Sequence, residues 1–145
     1  MVRSAAIKDK GPIVASDAER LMQYCPDLES WPRSWSVEPR DIAPGQRVVA
    51  CFKPFLLHLL GLGLSRKTLR VHRDNLWVLG GEIIRDLHED PPLREHSIDK
   101  LLLTVIDEDG GPLIAHRTSE QQQRSFDSTC RRFYRFLQDT QTQAH

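Results

Sequence analysis

Two stretches of this sequence carry apolar residues at helical spacing. Leu69, Leu76, Ile83 and Leu87 recur along 66–88, and Phe126, Cys130, Phe133 and Leu137 fall at i, i+4, i+7 and i+11. An α-helix turns once in about 3.6 residues, so each set lines one face and needs another element to cover it. A third, broader face comes from Val48, Val49, Phe52, Phe55, Leu56, Leu59 and Leu60 along 46–62. Clear period-2 alternation and internal repeats do not appear. The pattern predicts an all-α fold, a compact bundle of four main helices.

Local signals set the expected boundaries. Residues 1–12 read as frayed. Ser16 and Glu19 have the spacing of a capping box and predict a short helix ending near Tyr24. Pro26, Pro32, Pro39 and Pro44 forbid a long helix or a central strand over 26–45, where Trp31 and Trp35 predict a wrap anchored on the main body. The expected division is an N-terminal extension 1–45, a helical domain 46–140 and a disordered tail 141–145. Pro54 is expected to kink or restart the helix 46–62, and Gly61 and Gly63 to end it. Ser65 caps 66–88, Gly80-Gly81 either permits close packing or breaks that helix, and Pro91-Pro92 stops it. Ser97 opens a short helix with Ile98, Leu101, Leu102, Val105 and Ile106 inward, preferred over a β-hairpin across the 109–112 turn. The last helix is expected from Thr118 or Ser119 to about Asp139.

Several chemistries find no support. His58, His72, His88, His96, His116 and His145 form no His-Glu-x-x-His, and the cysteines no Cys-x-x-Cys, so no metal is expected. Gly61-Leu62-Gly63 lacks the third glycine and the preceding strand of a dinucleotide loop, and no cofactor is expected. Cys130 lies on the apolar stripe and reads as core rather than nucleophile. Carboxylate runs such as Glu89-Asp90 and Asp107-Glu108-Asp109 read as solvated helix ends and turns. Cys25, Cys51 and Cys130 read as free thiols of a reducing cytoplasm, and the absence of an apolar leader or span predicts a cytoplasmic protein off the membrane.

Charge is the remaining signal. The formal net charge is +0, yet 82–109 holds nine acids against three bases, while 124–135 holds four arginines against one acid. The stretch LSRKTLRVHRDNLW at 64–77 puts Arg66, Lys67, Arg70 and Arg73 together with no acid between them. With Leu69 at zero on a helical wheel, Arg73, Arg66, Trp77 and Arg70 fall between about 40° and 100°, one flank beside the core stripe, and Lys67 near about 160°. On the last helix, with Phe126 at zero, Arg131, Arg124 and Arg135 fall between about 140° and 180°, away from the core, and Arg132 near about 240°. Planar, permanently charged guanidinium suits phosphate and guanine edges. Basic side chains at a helix start oppose the helix dipole, a placement that suggests a use. The residues alone leave two readings open: an anion-binding surface, or a solvated face paired with the acidic 82–109 segment.

The order of motifs adds a family likeness. GLSRKTLRVHRDNL at 63–76 and RSFDSTCRRFYRFL at 124–137 lie at sensible spacing in a string from Phe52 to Leu137. That string resembles the core-binding (SAM-like, N-terminal) domain of tyrosine recombinases, the phage-integrase family. There, a helix ending in Gly-Leu-Ser leads to a helix bearing Thr, and a final helix carries a Phe-Tyr-Arg-Phe-Leu-like motif.

The resemblance implies a small helical bundle forming half of a clamp on duplex DNA. Two helices would approach the major groove, here 66–88 and 119–138. Arg66, Lys67, Thr68, Arg70, Arg73, Arg124, Arg131, Arg132 and Arg135 are then the expected DNA contacts, with Thr68 close to a backbone phosphate. The family's catalytic domain, with its arginines, lysine, His-x-x-Arg and nucleophilic tyrosine, has no place before His145. The expectation is therefore a non-catalytic module, an accessory protein of a mobile element or a piece of a recombinase, with Tyr134 used for packing. Expected partners are double-stranded DNA and either a recombinase or a second copy of the chain. The alternative is a helical protein-interaction module that kept the fold without DNA binding.

Overall fold

Hydroxyl side chains set three of the helix starts. The computed structural model describes residues 12–114 and 119–143. Among them are six α-helices: α1 Pro12–Tyr24, α2 Trp31–Trp35, α3 Ile42–Leu60, α4 Arg66–Glu89, α5 Ile98–Val105 and α6 Glu120–Gln143. Short 3-10 helices lie at Leu28–Ser30, Pro39–Asp41 and Pro91–Glu95. Ser65 Oγ accepts the Thr68 N–H at 3.1 Å to open α4, and Ser97 Oγ accepts the Lys100 N–H at 3.2 Å to open α5. At α6 the arrangement is reciprocal. Ser119 Oγ accepts the Gln122 N–H at 3.1 Å, and Gln122 Oε1 accepts the Ser119 N–H at 3.0 Å. The all-α class holds: the described residues contain no strand, only an isolated bridge between Asp107 and Gly110.

Four features of the helices differ from expectation, two of them for a local physical reason. α1 starts at Pro12, so Ser16 lies inside the helix and does not cap it. Proline suits the first helical position because the N–H it lacks would have no partner there. α3 starts at Ile42 rather than 46, since Pro44 falls in the tolerant first turn. It then runs through Pro54 without a restart. α6 continues to Gln143, past the expected stop near Asp139 and into the segment expected to be a tail. The expected fraying of 1–11 and the position of Thr118 lie outside the described residues.

The proline- and tryptophan-rich stretch is part of the core. Trp31 and Trp35 are buried, with ring centroids 6.4 Å from that of Phe52 on α3. Trp35 Nε1 donates to the Trp77 carbonyl at 2.9 Å, which ties α2 to α4. Gly80-Gly81 does not interrupt α4: a Cβ on Gly80 would come 2.2 Å from Trp35 Cζ2, so the glycine makes room for the indole. Phe133 on α6 closes the centre, 5.5 Å from Phe52 and 4.8 Å from Phe55 between centroids. Leu76, Leu79, Ile83, Ile84 and Leu87 complete it from α4. Leu60, Leu69 and Leu137, expected on the apolar stripes, are only partly buried.

Candidate nucleic-acid interface

Two polar joints fix the azimuth of α4, and with it the direction of every basic side chain on it. On one flank, His72 Nδ1 lies 2.7 Å from Thr129 Oγ1, and Asn75 Nδ2 donates to Thr129 Oγ1 at 2.8 Å and to Ser125 at 3.2 Å. Residue numbers rise on α4 as they fall on α6, so the two helices are antiparallel. On the other flank, Tyr24 Oη donates to the Leu69 carbonyl at 2.5 Å and locks α1 against α4. Thr68, His72 and Asn75 therefore face α6, while Arg66, Arg70 and Arg73 face α1.

The expected site residues separate into three groups. Arg66, Arg70 and Arg73 line an open concavity of about 500 Å³ with Arg20, Gln23 and Tyr24. Arg20 was not singled out from the sequence, because no local spacing relates it to residues 66–73. Lys67, Arg132 and Arg135 form the second group, on the outward side of the α4–α6 joint by wheel geometry. Arg132 sits close enough to His72 for its charge to lower the imidazole's pKa, an effect second to that of burial. Among the described residues, Arg66, Lys67, Arg70, Arg132 and Arg135 have no carboxylate partner.

Arg73 of the first group and the remaining expected residues are engaged locally. Arg73 donates to the Tyr24 carbonyl at 3.2 Å, at the C-terminal end of α1, and pairs with Asp74 at 3.1 Å. Cations are favourable at a helix C-terminus, so this arginine holds α1 as well as lining the concavity. Arg131 donates to the Asp109 carbonyl at 3.2 Å and holds the 107–110 turn. It reaches the acidic segment, but through backbone rather than a carboxylate. Thr68 Oγ1 accepts from Ser65 Oγ at 3.0 Å, which commits it to the α4 cap. Arg124 is exposed and 3.6 Å from Glu120, an i,i+4 pair worth at most about 0.5 kcal/mol. Of the arginines expected along one face of α6, Arg131 and Arg124 thus have local partners, and Arg135 has no described carboxylate.

Other chemistry-bearing groups have structural partners. Tyr134 packs against the core. Cys130 is buried, and burial pushes its thiol well above the usual range. Glu38 and Asp41, three residues apart, and the distant His88 bring ligand atoms within 4.8 Å of one another. The cation there is already supplied: Arg94 Nη2 lies 2.6 Å from Asp41 Oδ1, while Val37 and Glu38 N–H groups donate to Oδ2 at 2.8 and 3.1 Å. Burial alone would raise the Asp41 carboxyl, but these bonds outweigh it and hold it below the usual range. No helix among the described residues is long and apolar enough to cross a membrane. Comparison with protein-family models, with curated proteins and with solved structures finds no match to this chain.

Proposed function

We propose that this chain is a DNA-binding module of the core-binding type seen in tyrosine recombinases, acting by binding rather than by cleavage. It contacts duplex phosphates with Arg66 and Arg70 at the start of α4 and with Lys67, Arg132 and Arg135 along the α4–α6 edge. The observation that carries the reading is the set of basic side chains left without carboxylates. In a chain of net charge +0, with acids as numerous as bases, these five cations from two antiparallel helices, with Arg131 beside them on a backbone carbonyl, form no salt bridge with any described carboxylate. Phosphate contacts of this kind position a protein on DNA and give affinity without sequence choice. Arg73 and Arg131 contribute by holding α1 and the 107–110 turn.

The test is a fluorescence-anisotropy titration of a labelled duplex into the protein. The reading requires saturable binding at about 50 mM salt, weakened as salt rises. No binding at that salt leaves the protein-interaction alternative, which light scattering would register as self-association.

A further inference from the structure

The concavity between α1 and α4 has a charge balance of its own. Four guanidinium groups, from Arg20, Arg66, Arg70 and Arg73, line one open volume of about 500 Å³. The Tyr24–Leu69 hydrogen bond holds the two helices in register around it. Two of the four cations are partly answered, Arg20 by Asp17 at 3.4 Å and Arg73 by Asp74 at 3.1 Å. Arg66 and Arg70 are not answered by any described carboxylate. These six groups therefore leave a surplus of two positive charges in one place, reinforced by the positive end of the α4 dipole.

A phosphodiester inside a DNA strand carries a single negative charge and matches half of that surplus. A terminal phosphate carries about −1.5 to −2 at pH 7 and presents three strong acceptor oxygens. Guanidinium groups bind such oxygens in bidentate pairs. The volume is several times that of a phosphate group, so a sugar or a second phosphate fits beside it. We propose that the concavity is a seat for a dianionic phosphate end-group, either the 5′-phosphate of a DNA strand or the end of a short phosphate chain. The inference goes beyond duplex binding but shares Arg66 and Arg70 with it; preference for a terminal phosphate and affinity for duplex DNA are read separately, so the two readings fail separately.

The experiment compares two labelled oligonucleotides of one sequence, one with a 5′-phosphate and one with a 5′-hydroxyl, and adds sodium tripolyphosphate as competitor. The 5′-phosphate should tighten binding by about tenfold, the size of one charge-assisted hydrogen bond. Tripolyphosphate should displace the phosphorylated strand, and an Arg66→Ala/Arg70→Ala variant of unchanged circular dichroism should lose the preference. Direct binding of tripolyphosphate without any preference between the DNA ends would assign the seat to a free phosphate chain. Equal affinity for both ends together with no binding of tripolyphosphate overturns the inference, even if duplex DNA still binds. Retention of the preference by the double variant overturns it as well.

Discussion

Alanine at Gly80 and alanine at Gly81 should move stability in opposite directions. In a helix interior alanine is favoured over glycine by about 1 kcal/mol. At Gly80 that gain meets the Trp35 indole, because the new Cβ would lie 2.2 Å from Cζ2, 2.4 Å from Cη2 and 2.8 Å from Cε2. The indole cannot step aside freely. Its Nε1 is bonded to the Trp77 carbonyl at 2.9 Å, and its ring packs against Trp31 at 5.8 Å and Phe52 at 6.4 Å. Overpacking a core of this kind costs about 1–3 kcal/mol, and losing the indole hydrogen bond adds about 1 kcal/mol. At Gly81 the nearest atom would be Trp35 Cδ1 at 3.4 Å, an ordinary contact, so the helix gain stands. Urea titration followed by far-ultraviolet circular dichroism reads both variants through the midpoint at constant m-value. The expected result is Gly80→Ala less stable by about 1–3 kcal/mol and Gly81→Ala unchanged or more stable by up to about 1 kcal/mol. A raised midpoint for Gly80→Ala would refute the packing of Trp35 on α4.

Three further outcomes follow from the buried polar groups. Arg94→Ala leaves the fully buried Asp41 carboxylate without its cation and should cost about 3–5 kcal/mol in urea titration; a cost below about 1 kcal/mol would show the pair to be solvated. Burial, and then the Arg132 charge, lowers the His72 pKa, so between the folded value and about 6.5 the unfolded chain binds a proton that the folded one does not. Stability should therefore fall as pH drops below about 6.5, and an NMR titration of the His72 ring at or above that value would contradict it. Burial comes first in pushing the Cys25 thiol up to about 12 and raises Cys130 further, so at pH 8 these two buried thiols should react slowly with a disulfide reagent in native protein and rapidly only in urea; a fast native phase at Cys25 or Cys130 would contradict that burial.

How much was legible in the sequence depended on how local the cause was. Ser65, Ser97 and Ser119 marked helix starts because a cap is a contact between residues three apart. Ser16 misled because Pro12 is an equally local start signal, and the helix uses the earlier one. Gly80-Gly81 left two outcomes open, and the choice was made by Trp35, a residue on another element. The wheel grouped Arg66, Arg70 and Arg73, which do line one concavity, but a flank does not name its neighbours. Nothing near Arg73 announced that it would bond the Tyr24 carbonyl, or near Arg131 that it would bond that of Asp109. Arg20 joined the concavity, and Arg94 met Asp41, only through tertiary packing. The class of the fold was legible because apolar periodicity reports on each helix separately; the shape of the basic surface was not, because it depends on how the helices are turned against one another.

The salt dependence of duplex affinity bears most directly on whether the unpaired cations meet phosphate. With about five phosphates neutralised, the plot of log K against log salt should have a slope near about −4.5. Arg66→Ala with Arg70→Ala should make it shallower by about 1.8, since each phosphate contact contributes about 0.9. A flat plot, or a slope unchanged in the double variant, would contradict the account.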